Sequence, residues 1–200
     1  GESPFEIWLN EAVTVHVEKE FHSFVFGEAY SRLQEVQELL SPDRGTLLQD
    51  EGVASMPIEP DGFNDPNDLI SSITYVKAPE FVRMIETLIG KEKFVKGLDL
   101  YHRTYRHSNA TRAQWIACME KISGMKLQNM AHIWLKNKGY PHIHAQCSYD
   151  PKKKRQTIKM KQVNGGKDVW EFPCVTAILD SNGKEIEEKT AHIDKKEQEI

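Results

Sequence analysis

Leu127-Gln128-Asn129-Met130-Ala131-His132-Ile133-Trp134-Leu135-Lys136-Asn137-Lys138-Gly139-Tyr140-Pro141-His142-Ile143-His144-Ala145-Gln146-Cys147 holds the change of pattern that decides the fold. Up to Gly139 the apolar residues Leu127, Met130 and Trp134 keep helical spacing, and a glycine followed by Pro141 ends the helix. Beyond Pro141, Ile143, Ala145 and Cys147 alternate with polar residues, which is the period of a strand with one face turned inward. The chain therefore reads as α+β, with a helical domain over residues 1–140 and an antiparallel β domain over 141–200.

Upstream of this boundary the helical pattern repeats. Leu9, Val13, Val17, Phe21 and Val25 recur at i+4 and predict a helix packed along that stripe and ended by Gly27. A second helix spans about 28–40 and stops at Ser41-Pro42. A polar segment with Gly45, Gly52, Pro57, Pro60, Gly62 and Pro66 follows, and a connection longer than about 15 residues calls for a functional reason. Helical pattern resumes near Leu69, with Phe81, Val82, Ile85, Leu88 and Ile89 on one face before Gly90. A helix with Phe94, Leu98, Tyr101 and Tyr105 comes next, and the one after it opens on Thr111 and Gln114 in capping-box spacing and stops at Gly124. Downstream, Ile158 and Met160, the run 172–179 and the segment from Ile186 predict further strands. Tyr149-Asp150-Pro151 and Asp180-Ser181-Asn182-Gly183 supply the turns.

Composition narrows the partners. A formal charge of −4 and a pI near 6.1 argue against a phosphate-binding surface, so nucleic acid is not an expected partner, and Lys152 to Arg155 reads as a solvated turn. No window approaches the roughly 18 apolar residues of a membrane span. Cys118, Cys147 and Cys174 are odd in number and lack C-x-x-C spacing, so they read as small core hydrophobes in a reducing, cytoplasmic setting. His142 and His144 lack a third ligand nearby, and His16 and Glu20 at i, i+4 read as a solvated pair.

Glu11 is the residue that chemistry singles out. Its helical neighbours Ile7, Trp8, Thr14 and Val15 are mostly apolar, and a carboxylate among them needs an answering group, whether a cation, a backbone donor or a metal.

The sequence around it resembles a known family. Trp8-Leu9-Asn10-Glu11-Ala12-Val13-Thr14 resembles the W-L-N-E-G-[FL]-T signature of the aminopeptidase N family of zinc metallopeptidases. Met56-Pro57-Ile58-Glu59-Pro60 and Asn64-Asp65-Pro66-Asn67 resemble that family's H-P-I-x-P and N-D-P-x-E loop. Ile73-Thr74-Tyr75-Val76-Lys77, followed by Arg83-Met84, resembles its I-x-Y-x-K-G-A-x-V-x-R-M helix. Thr14-Val15 with Glu20-Phe21 is closest to the bacterial and archaeal alanyl branch. The resemblance implies the helical C-terminal half of a thermolysin-like catalytic domain followed by part of a small β-sandwich. It implies Glu11 as a zinc ligand, Tyr75 as the catalytic donor to the oxyanion, and peptides as substrates.

The departures shape the expectation. Ala12 stands for glycine, Met56 for histidine and Ala78-Pro79 for Gly-Ala, and a proline within a helix displaces Tyr75 unless it falls in the first turn. The H-E-x-x-H motif, whose histidines and glutamate supply two ligands and the general base, does not occur, nor does G-x-M-E-N. In the family that motif would end just upstream of Gly1. The expectation is thus an internal piece of a zinc aminopeptidase, inactive alone, whose parent completes the site; the alternative is a catalytically dead scaffold or protein-binding module.

Overall fold

A computed structural model describes residues 3–53, 55–164 and 168–200. It divides into two compact units, Gly1–Gly139 and Tyr140–Ile200, and its class is α+β.

The first unit is helical. Its helices are α1 (Ile7–Phe26), α2 (Glu28–Leu40), α3 (Thr46–Glu51), α4 (Ala78–Ile89), α5 (Lys91–Tyr105), α6 (Arg112–Ser123) and α7 (Gln128–Lys136). Short 3-10 turns occupy Pro4–Glu6 and Pro66–Leu69, and a π-helical turn, Ile73–Lys77, runs straight into α4. The core is aromatic at its centre. Trp8 meets Phe81 edge-on at 5.9 Å and Trp115 at 6.5 Å, and all three are fully buried. Edge-to-face pairs of this kind add to the area they bury because ring edges and faces carry opposite partial charge.

Local signals place the helix ends. Thr111 and Gln114 form the reciprocal capping box at the start of α6, and Gly124 ends that helix in the left-handed conformation, at φ 75°. Gly97 serves packing, since an added Cβ would lie 2.5 Å from the sulfur of Met119 where α5 crosses α6.

Four expectations need correcting. The buried face of α1 is Trp8, Leu9, Ala12 and His16, whereas Val17, Phe21 and Val25 are at least half exposed. The true stripe is rotated by one residue, about 100° on a helix, because the packing centre is Trp8 rather than Leu9. The long segment after Pro42 is not all loop: it holds α3 and a 3-10 turn in which Asp65 and Asp68 cap each other's backbone. His16 is buried, not solvated, with Nε2 2.6 Å from Glu86 Oε2 and its ring edge-on to Phe94. Of the cysteines only Cys118 is buried; Cys174 is half-buried and Cys147 exposed.

The second unit is antiparallel throughout. Strand β1 (Ile143–Asp150) pairs with β2 (Arg155–Gln162), which pairs with β5 (Glu197–Glu199); β3 (Phe172–Leu179) pairs with β4 (Glu185–Ile193) in a separate two-stranded sheet. Asp150 Oδ1 accepts from the backbone N–H groups of Lys152 and Lys153, closing the first hairpin, and Asp180 Oδ1 does the same for Asn182 and Lys184 in the second. Strand β5 is one more than the alternation pattern predicts. It is too short to show a period, and it is extended by the mutual backbone pairing of Ile158 and Ile200.

Candidate active site

The site is assembled from two turns of backbone that the sequence keeps more than 60 residues apart. Glu11 sits in the second turn of α1, one turn after Ile7, and its orientation follows from how that helix is pinned. The indole N–H of Trp8 donates to Glu59 Oε2 at 3.1 Å. Glu59 is itself buried and is answered by Arg112 Nη1 at 3.1 Å and Lys136 Nζ at 3.2 Å, while its backbone N–H donates to Leu135 O. A buried carboxylate held by two cations and an indole is a fixed anchor rather than a reactive group. Trp8 and Glu59, quoted above from separate segments, are thus joined in the core, and Glu11 projects from the helix so fixed.

Glu11 is half-buried rather than enclosed among apolar groups. The group near it is Tyr75, whose phenol feels the charge of its carboxylate. Tyr75 is about a third exposed and lies in the middle of the π-helical turn. Partial burial raises the phenol above its ordinary titration range, and the neighbouring charge of Glu11 raises it further. The phenol is therefore a protonated donor at neutral pH.

A π turn is an uncommon conformation that recurs at functional sites, and here its cause is legible. Thr74 Oγ1 donates to Leu69 O at 2.6 Å, Tyr75 N to Ser71 O, and the N–H of Ala78 reaches back five residues to Ile73 O. Pro79 then falls in the first turn of α4, where a missing N–H costs little. The proline therefore does not break the helix that carries Tyr75. Ala12 is fully buried, so the methyl group it adds relative to glycine is accommodated by the packing.

Zinc requires three protein ligands to form a site of the hydrolytic type. Glu11 fits as one of them: its carboxylate is partly exposed and is an acceptor with lone pairs for a cation. Among the described residues, the trio of side chains placed closely enough to hold a metal is His16, Glu20 and Glu86, which does not include Glu11. That trio is already balanced by protein charge. Lys91 pairs with Glu20, and the charges of Lys91 and Arg83 act with the His16 contact to hold the Glu86 carboxyl below its ordinary range against the opposing effect of burial. His142 stacks on Tyr140 at 5.0 Å and His144 is exposed.

Two residues that matter here gave little signal in sequence. Lys77 is buried and donates to Asp50 Oδ2 at 2.6 Å and to Gly139 O at 2.7 Å, and Asp50 accepts in addition from Ser55 Oγ. Lys77 was visible only as part of a motif. Asp50 carried no pattern, because a pairing across 27 residues leaves no periodicity to read.

Comparison with known proteins shows the family of the chain. The profile of the peptidase family M1 domain matches residues 3–134. Aminopeptidase N of Escherichia coli strain K12 is 29% identical over 189 residues, covering 91% of this chain and 21% of that protein. Probable aminopeptidase 2 of Sulfurisphaera tokodaii is 28% identical over 189 residues, covering 90% of this chain and 23% of the relative. The chain spans about a fifth of the length of these curated relatives. In structure it superposes on Legionella pneumophila aminopeptidase A, solved in complex with aspartic acid, with a TM-score of 0.83 and 24% identity, over 99% of this chain and 21% of that one. The likeness therefore extends through both the helical and the β unit, and the chain belongs to peptidase family M1.

Proposed function

We propose that the protein carrying this chain is a zinc-dependent aminopeptidase that hydrolyses N-terminal residues from peptides, and that residues 1–140 are part of its thermolysin-like catalytic domain. The observation that carries the reading is the nearness of Glu11 to the protonated phenol of Tyr75, which a π turn carries. The relatives' names supply the reaction class.

Glu11 would serve as one zinc ligand, with the remaining ligands and the general base coming from an H-E-x-x-H motif outside these 200 residues. Zinc, when bound, supplies Lewis-acid polarisation and a nucleophilic water at neutral pH. Tyr75, near that ligand and with its O–H retained, would donate to the negative charge that develops on a scissile carbonyl oxygen. A pre-positioned neutral donor of this kind stabilises the developing oxyanion without reorganising during the reaction. Trp8 and Glu59 keep α1 from rotating. The free thiols of Cys118, Cys147 and Cys174 favour a cytoplasmic setting.

The test is hydrolysis of an aminoacyl p-nitroanilide by the whole protein and its Tyr75→Phe variant. The expected result is a kcat lower by about 10²- to 10³-fold with little change in KM and full zinc content, as for loss of one oxyanion donor. A Tyr75→Phe variant with the parent's kcat would remove the assigned role. A whole protein with no peptidase activity would favour the scaffold reading instead.

A further inference from the structure

Besides the anchor Glu59, the segment between Pro42 and Pro66 holds a second acid as deeply buried as the core. Asp50 and Lys77 are each 2% exposed, and they meet at 2.6 Å. Burying two charges costs more in solvation than their attraction readily returns, so such a pair is weak grounds for stability and asks for another reason. Its position offers one. Lys77 lies two residues after Tyr75 on the same π turn, and side chains two apart on a helix point to roughly opposite sides. Tyr75 lies near Glu11, and Lys77 is fixed from behind by three elements: Asp50 of α3, Ser55 through Asp50, and the carbonyl of Gly139 after α7. A second bond ties the same helix to the same turn, where Ser72 Oγ donates to Gln49 Oε1 at 2.8 Å.

We propose that the buried Asp50–Lys77 pair, braced by Gly139 O and by the Gln49–Ser72 bond, is a positioning device that sets the rotation of the π turn and so holds the Tyr75 phenol near Glu11. This rests on the catalytic reading of Tyr75 for its consequence but not for its geometry. A π turn has one residue more than the α-helix that continues from it, and nothing in its own hydrogen bonding prevents that residue from migrating along the helix. Directed bonds from Lys77 to two fixed acceptors prevent it. An apolar pair of similar volume would fill the space without supplying direction. Burial pushes the Lys77 ammonium below its ordinary range, and Asp50 only partly offsets this. The long connection of the sequence is, on this account, a brace for the catalytic tyrosine.

The experiment uses the whole protein labelled with 3-fluorotyrosine, the Tyr75 resonance being identified by its loss in Tyr75→Phe. A Glu11→Ala variant gives the position of that resonance without the Glu11 charge. The variant under test is Asp50→Leu with Lys77→Met, which leaves no unpaired buried charge; Asp50→Asn, nearly isosteric, is the second. Positioning predicts that, in variants whose thermal unfolding stays cooperative, the Tyr75 resonance moves toward its place in Glu11→Ala. It also predicts that kcat falls by about 10²-fold at near-constant KM, the effect of misplacing a group by an ångström or so. A Tyr75 resonance unmoved in both folded variants overturns the proposal. Movement of the resonance in a whole protein that hydrolyses no peptide would uphold the brace and refute the catalytic reading, so the two fail separately.

Discussion

The helical and β units hold themselves together by different means. In the helical unit Trp8, Phe81 and Trp115 have no exposed surface, and Ile85, Ile116, Met119 and Leu135 close around the same centre. In the β unit Trp170, Ile193 and the amide of Gln162 are the buried groups, while Val175, Ile178, Leu179 and Ile186 are roughly half exposed or more. The first unit draws its order from apolar burial, which is proportional to area and needs no direction. The second draws more of its order from directed bonds: Gln162 accepts from Trp170 N–H and donates to the carbonyls of Trp170 and Lys195. A candidate site that must hold a carboxylate near a phenol is therefore built on the unit with the stiffer core.

The difference can be tested by substitution, with hydrogen exchange read by unit. Trp115→Ala removes a fully buried ring and is expected to cost about 3–5 kcal/mol, with exchange rising across α1, α4 and α6 and little change in residues 140–200. Equal loss of protection in both units would show that they unfold as one. Gln162→Ala removes the hydrogen bonds its buried amide makes with the backbone of Trp170 and is expected to cost about 1–3 kcal/mol, confined to β2, β3 and β5. Unchanged exchange there would mean that the strands, not the amide, order this unit. Thr111→Ala removes a cap whose partner Gln114 stays in place, and should lower stability by about 1 kcal/mol in urea titration, with fraying limited to the start of α6. A larger loss would place Thr111 in the core rather than at its rim.

What was legible in the sequence follows the range of each interaction. The period change at Pro141, the capping pair Thr111 and Gln114, the glycine at 124 and the turn aspartates at 150 and 180 act within a few residues, and each leaves a local pattern. The apolar stripe of α1 gave a helix but the wrong face, since Leu9 and Trp8 are both apolar and only the packing against Phe81 and Trp115 distinguishes them. His16–Glu86, Asp50–Lys77 and Trp8–Glu59 pair residues 70, 27 and 51 apart, and a charge in such a pair looks in sequence like any solvated charge. Glu11 stood out through its apolar helical neighbours and, with Tyr75, through the resemblance of their surroundings to a family. That the two lie near one another is a fact of the tertiary structure alone.

Glu11 is proposed as a zinc ligand near a phenol that serves the reaction. The most direct measurement is the zinc content of the whole protein after exhaustive dialysis, by inductively coupled plasma mass spectrometry, for the parent and for Glu11→Ala. The prediction is one tightly held zinc per chain in the parent and its loss in Glu11→Ala, with the fold retained by circular dichroism. A Glu11→Ala protein that keeps its full complement of zinc would contradict the assignment.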